Sequence, residues 1–135
     1  VDRIVSCAEE NGFKLTAEHL EQAITSKTKW VILNSPSNPT GAVYSEQELE
    51  SLAKVLVQNP DIYILSDDIY EHLLYDNLKF YNIVQVEPSL KDRTLILNGV
   101  SKSYSMTGWR IGYGAGPKSL IKAMNLIQSQ STSNA

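Results

Sequence analysis

Lys102 stands between Ser101 and Ser103 in the stretch "NGVSKSYSMTGWRIG", and Arg110 follows eight residues later. Every residue between the two is neutral. A lysine with little charged company can be partly desolvated, which lowers its pKa and leaves a neutral amine able to attack carbonyls. An arginine offers a planar fork of donors suited to phosphate or carboxylate. Two other stretches carry side chains of comparable interest: "SPSNPTG" with Asn38, and "SDDIY" with Asp67, Asp68 and Tyr70.

Shared chemistry requires that the fold bring these stretches together. "KWVILN" (29–34), "IYILSD" (62–67) and "TLILNG" (94–99) are compact apolar runs that read as buried strands, and each ends at one of the three stretches. Between them, "LTAEHLEQAITS" (15–26) opens on Thr16 as a helix N-cap. "SEQELESLAKVLVQN" (45–59) opens on a Ser45/Glu48 capping box and lines one face with Leu49, Leu52, Ala53, Leu56 and Val57. "KSLIKAMNLIQSQ" (118–130) reads as an amphipathic helix, "RIVSCA" (3–8) as a short strand, and 71–92 as a loop with a short helix.

"WRIGYGAG" (109–116) reads as a fourth strand. Its joint to "TLILNG" has no helical period and barely reaches the dozen or so residues of a parallel crossover, so an antiparallel strand is expected. The pattern predicts an α/β chain: a three-layer α/β/α sandwich with a mainly parallel sheet and one antiparallel strand. A single domain over residues 1–135 is expected, since no linker or repeat interrupts it. In an open parallel sheet, ligands bind beyond the C-terminal strand ends. Asn38, Asp67, Tyr70 and Lys102 then face one cleft, and Arg110 can join them on the return.

Composition is that of a globular chain, 42% hydrophobic and 20% charged. A net charge of −3 gives no general basic field for nucleic acid, and no apolar run approaches a membrane span. One cysteine, Cys7, rules out a disulfide framework within the chain and fits a reducing, cytoplasmic setting. His19 and His72 lack metal-ligand spacing, so no metal is expected.

The cleft set fits pyridoxal 5'-phosphate (PLP), a carbonyl cofactor that bonds to a lysine as a Schiff base and needs a carboxylate at its ring nitrogen. Asp67 could supply that carboxylate, with Asp68 as its rival. Asn38 and Tyr70 could donate to the ring's phenolic oxygen, and Arg110 and Ser101 could hold the phosphate. Each residue also has a plainer reading: a solvated lysine, a strand-ending aspartate, an asparagine that forms the turn before Pro39. The glycines at 112, 114 and 116 do not match GxGxxG and read as backbone crowding.

"NSPSNPTG", "SDDIY" and "NGVSKSYSMTGWRIGY", in this order and spacing, resemble the large domain of class I/II aminotransferases, the fold-type I PLP enzymes. The likeness is greatest to the bacterial aspartate (aspartate/prephenate) subgroup and runs the length of the chain. It implies transamination between an amino acid, aspartate foremost, and a 2-oxo acid. It also implies Lys102 as the cofactor-bonding lysine and proton carrier, with Asn38, Asp67, Tyr70, Ser101 and Arg110 binding the cofactor, and a homodimer. Relatives of that kind carry a serine or threonine three residues before the lysine, where this chain has Gly99.

The family's phosphate-binding glycine turn and ring-stacking aromatic would lie before residue 1, and its substrate arginine after Ala135. The chain then reads as the middle of a cofactor domain, expected to be inactive alone. Other fold-type I activities (aromatic or alanine aminotransferase, β-eliminating lyase) stay open, as does a non-catalytic ligand-binding regulatory module of the same fold.

Overall fold

A computed structural model describes residues 3–132. Four strands form one mixed sheet in the order β1-β2-β3-β4: β1 (Trp30–Asn34), β2 (Tyr63–Asp67), β3 (Thr94–Gly99) and β4 (Gly112–Ala115). The first three are parallel, and β4 runs antiparallel to β3 as its short joint demands. The expected fold class stands: a mainly parallel sheet with one antiparallel strand, flanked by helices α1 (Ala17–Ala23), α2 (Glu46–Val57), α3 (Ile83–Val86) and α4 (Lys118–Ser131).

Local chemistry sets the helix starts. Thr16 accepts the His19 amide hydrogen, and Ser45 and Glu48 complete their capping box. Asn82 and Gln85 form a second box at α3, the short helix expected within 71–92. A 3₁₀ turn, Pro88–Arg93, leads into β3.

The core lies on one face of the sheet. Leu49, Leu52, Ala53 and Leu56 of α2 pack with Val31 and Leu33 of β1, Ile62, Ile64 of β2, Leu20, Ile83 and Leu90. Val55, not Val57, is the further buried valine of α2; Val57 is exposed. Tyr44 is buried against this core, and its hydroxyl accepts the Leu15 amide hydrogen at 2.7 Å. Burial pushes that phenol up to about 12.

The opposite face is dressed differently. Ile32 is 68% exposed there, and the Trp30 and Tyr63 rings lie 5.2 Å apart in the open. Helix α4 buries no residue.

Residues 3–8 do not form the expected strand. A strand needs a partner, and this apolar run finds none among the described residues; Ile4 is 93% exposed. Helix α1 is shorter than its sequence pattern, ending at Ala23. His19 on α1 is half-buried.

Arg93 fastens the sheet end remote from the strand C-termini. Its guanidinium donates to the carbonyls of Leu56 (2.6 Å), Asn59 (3.0 Å) and Ile62 (2.6 Å), which are the end of α2 and the turn into β2. These are charge-assisted bonds, added to the backbone amides that the Leu56 and Asn59 carbonyls already accept. Arg93→Met in the whole protein is expected to cost about 2–3 kcal/mol. It should lower the denaturant midpoint without changing the slope; an unchanged midpoint contradicts this role.

Candidate active site

The C-terminal ends of β1, β2 and β3 open on one edge, because parallel register sets Asn34 beside Asp67 and Asp67 beside Leu97. The three expected loops leave from that edge. The first, 35–41, closes on itself: the Ser37 amide donates to Ala42 O and the Gly41 amide to Ser37 O. Gly41 takes φ +71°, a conformation that favours glycine. Buried Ser35 fixes the loop base by accepting the Tyr44 amide hydrogen at 3.2 Å.

Asn38, Tyr70 and Lys102 meet. Asn38 Nδ2 donates to the Tyr70 hydroxyl at 3.2 Å. Lys102 Nζ lies 5.5 Å from the centroid of the Tyr70 ring, within cation–π reach. The described residues leave Lys102 exposed and without a carboxylate partner. The desolvation expected of it is therefore not supplied by these residues.

The two aspartates part company. Successive residues of a strand point to opposite faces. Asp68 is 3% exposed, accepts from Ser66 Oγ (2.6 Å) and Asn82 Nδ2 (2.9 Å), and so ties the end of β2 to the α3 cap. Burial pushes its carboxyl above the ordinary range, the two hydrogen bonds oppose that, and the charges of Glu71 and Asp67 add to it. Asp67 stays half-buried on the other side; among the described residues its side chain accepts only the Ile69 amide hydrogen, at 3.4 Å. Of the pair, Asp67 has the carboxylate free for a ligand.

Ser101 precedes Lys102 in the same turn and is half-buried. Ser103 Oγ is buried with no hydrogen-bond partner among the described residues. Arg110 is exposed at φ +55°, donates to Thr107 O at 2.8 Å, and makes no ion pair among the described residues. The arrangement offers an amine, a carboxylate, an amide-bound phenol, a hydroxyl and a guanidinium beside one sheet edge. Among the described residues no group of acidic, histidine or cysteine side chains could hold a metal, and no helix is long and apolar enough to cross a membrane.

Gly99 is where backbones crowd. A Cβ there would lie 2.9 Å from Ile111 O, 3.1 Å from Ile69 Cδ1 and 3.2 Å from Gly112 Cα. A side chain at this position would have to displace the neighbouring backbone. Gly99→Ser in the whole protein is expected to cost about 1–3 kcal/mol through overpacking. Thermal unfolding checks it; an unchanged midpoint with tighter phosphate binding is the contrary result.

Sequence reasoning missed two polar residues at this edge. Asn34 bonds to Asp67 O and to the Asn38 amide, and Asn98 bonds to Glu71. Their signal was position alone, since Asn34 ends β1 and Asn98 lies one residue from the end of β3, and both strands lead into the site loops.

The family model "Aminotransferase class I and II" matches residues 3–135. A probable aspartate/prephenate aminotransferase of Rickettsia felis is 64% identical over 130 residues, 96% of this chain and 32% of that protein. The crystal structure of the aspartate aminotransferase from Rhizobium meliloti superposes with a TM-score of 0.93 at 57% identity, covering 95% of this chain and 32% of that one. The aromatic aminotransferase from Pyrococcus horikoshii superposes at 0.89 with 39% identity, covering 94% and 34%. The chain spans about a third of the length of the curated relatives it matches.

Proposed function

The chain belongs to the class I and II aminotransferases, and from that premise we propose that the whole protein moves an amino group between an amino acid and a 2-oxo acid. Aspartate is the foremost amino donor, supported by the relative named for aspartate and prephenate at 64% identity. One observation carries the reading: Lys102 lies over the ring of Tyr70, and the hydroxyl of that tyrosine is held by Asn38.

The residues present fit pyridoxal 5'-phosphate. When bound, the cofactor supplies a carbonyl for an amine and a ring that accepts electrons. Asp67, whose carboxylate engages no other side chain among the described residues, would hold the proton on the ring nitrogen. Asn38 and Tyr70 donate toward the phenolic oxygen. Ser101 and Arg110 would hold the phosphate, and the guanidinium is unpaired by any carboxylate among the described residues. Lys102 would anchor the cofactor covalently and would carry the proton to and from the substrate α-carbon.

The chain is on this reading the central part of the cofactor domain of a longer, homodimeric enzyme. A cytoplasmic setting belongs to the same proposal, supported by the single cysteine. The exposed Ile32 face and the unburied α4 support a chain that needs more protein around it to work.

A second reading, an aromatic aminotransferase, is favoured by the likeness to the Pyrococcus horikoshii enzyme. Feeding the whole protein aspartate or an aromatic amino acid with 2-oxoglutarate separates the two. Aspartate is expected to give the higher kcat/KM. A higher value for the aromatic donor replaces the first reading, and robust turnover by the 135-residue chain alone contradicts the partial-domain reading.

A further inference from the structure

Two asparagines flank the strand that carries Asp67. Asn34 ends β1 and Asn98 lies one residue from the end of β3, with β2 between them. Asn34 Nδ2 donates to Asp67 O at 3.1 Å, while its Oδ1 accepts the Asn38 amide hydrogen at 3.1 Å. Asn98 Nδ2 donates to Glu71 Oε1 at 2.7 Å, while its Oδ1 accepts the Gly99 amide hydrogen at 2.7 Å. Each amide orientation is forced: a flip would set oxygen against a carbonyl or carboxylate, and nitrogen against an N–H.

Each side chain therefore bridges two site loops. Asn34 couples the Asn38 loop to the Asp67 turn. Asn98 couples that turn, through Glu71, to the backbone that leads into Ser101 and Lys102. The turn itself is short, closed by the Glu71 amide donating to Asp68 O and opened by the Asp68 amide donating to Leu97 O. Asp67 and Tyr70 both ride on it.

We propose that Asn34 and Asn98 are positioning residues, a clamp that holds the Asp67–Glu71 turn in register with the Asn38 and Lys102 loops. The catalytic consequence rests on the function proposed above; the clamp itself does not. A reacting group misplaced by about 1 Å can cost about 100-fold in rate, so the three loops need a common reference. Neither asparagine meets the ligand in this scheme. They act through Asp67, Asn38 and Lys102.

The test uses the whole protein as Asn34→Ala, Asn98→Asp, the pair Asn98→Asp with Glu71→Gln, and Arg93→Met as a destabilised control remote from the site. The pair restores a donor opposite the new carboxylate. Without cofactor, amide hydrogen exchange over residues 67–71 should quicken about tenfold or more in the two single variants and not in Arg93→Met. With PLP, the apparent dissociation constant should rise about tenfold, and the pH midpoint of the visible band should shift. Arg93→Met should leave both where they are, and the pair should recover most of the loss. Unchanged exchange over 67–71 in both single variants overturns the clamp. So does a loss of thermal stability equal to that of Arg93→Met with the pH midpoint unmoved. Wild-type protein that forms no lysine-bound chromophore overturns the proposed function instead, and the exchange result still decides the clamp.

Discussion

Lys102→Ala in the whole protein is expected to lower turnover by at least about 10³-fold, with the thermal midpoint nearly unchanged. One amine is asked both to bond to the cofactor and to carry a proton. No other lysine lies between residues 92 and 117 to replace it. Its exposure and its lack of an ion-pair partner mean that little folding energy goes with it. Lys102→Arg should fail as badly, because a guanidinium stays protonated and cannot act as a nucleophile. Steady-state rates beside thermal unfolding decide the point. A Lys102→Ala enzyme within about tenfold of wild type, a difference of roughly 1.4 kcal/mol, contradicts the assignment.

Asp67→Asn is expected to cost on the order of 10²–10³-fold in kcat, the size seen when one preorganised electrostatic contact is removed. The neighbouring Asp68→Asn should cost far less in kcat, because that carboxylate is spent on Ser66 and Asn82 beneath the sheet. Its damage should appear as lost stability, since an amide there accepts from Asn82 Nδ2 only by turning its own Nδ2 to Ser66 Oγ, which leaves the buried Ser66 hydroxyl hydrogen without its acceptor. Rates and denaturation curves for the two variants check this. Equal kcat losses, or the larger loss at Asp68, reverse the assignment.

Much of this site was legible because its chemistry falls where strands end. Parallel register is fixed once the apolar runs at 29–34, 62–67 and 94–99 are read as buried strands, and register alone carries Asn38, Asp67 and Lys102 to one edge. Between Asp67 and Asp68 the sequence offered only the three-residue spacing to Tyr70; the burial of Asp68 against Ser66 and Asn82 adds support for Asp67. The helix starts at Thr16 and Ser45 were equally local. What the sequence hid depends on distance along the chain. Asn34 reaches across to Asp67, 33 residues away, and Asn98 to Glu71, 27 residues away. No local rule marks an asparagine as a bridge. The strand expected at 3–8 failed for the opposite reason: propensity was present and a partner was not. The fully apolar runs also signal a sheet covered on both faces. In the described residues α1, α2 and α3 cover one, and Ile32 stands 68% exposed on the other.

The central claim is that the Lys102 amine bonds the cofactor. Whole protein incubated with PLP and reduced with borohydride, then digested and mapped by mass spectrometry, tests it most directly. A single reduced pyridoxyl modification on Lys102, absent from Lys102→Ala, is the predicted result. A modification fixed on another lysine, or none at all, contradicts it.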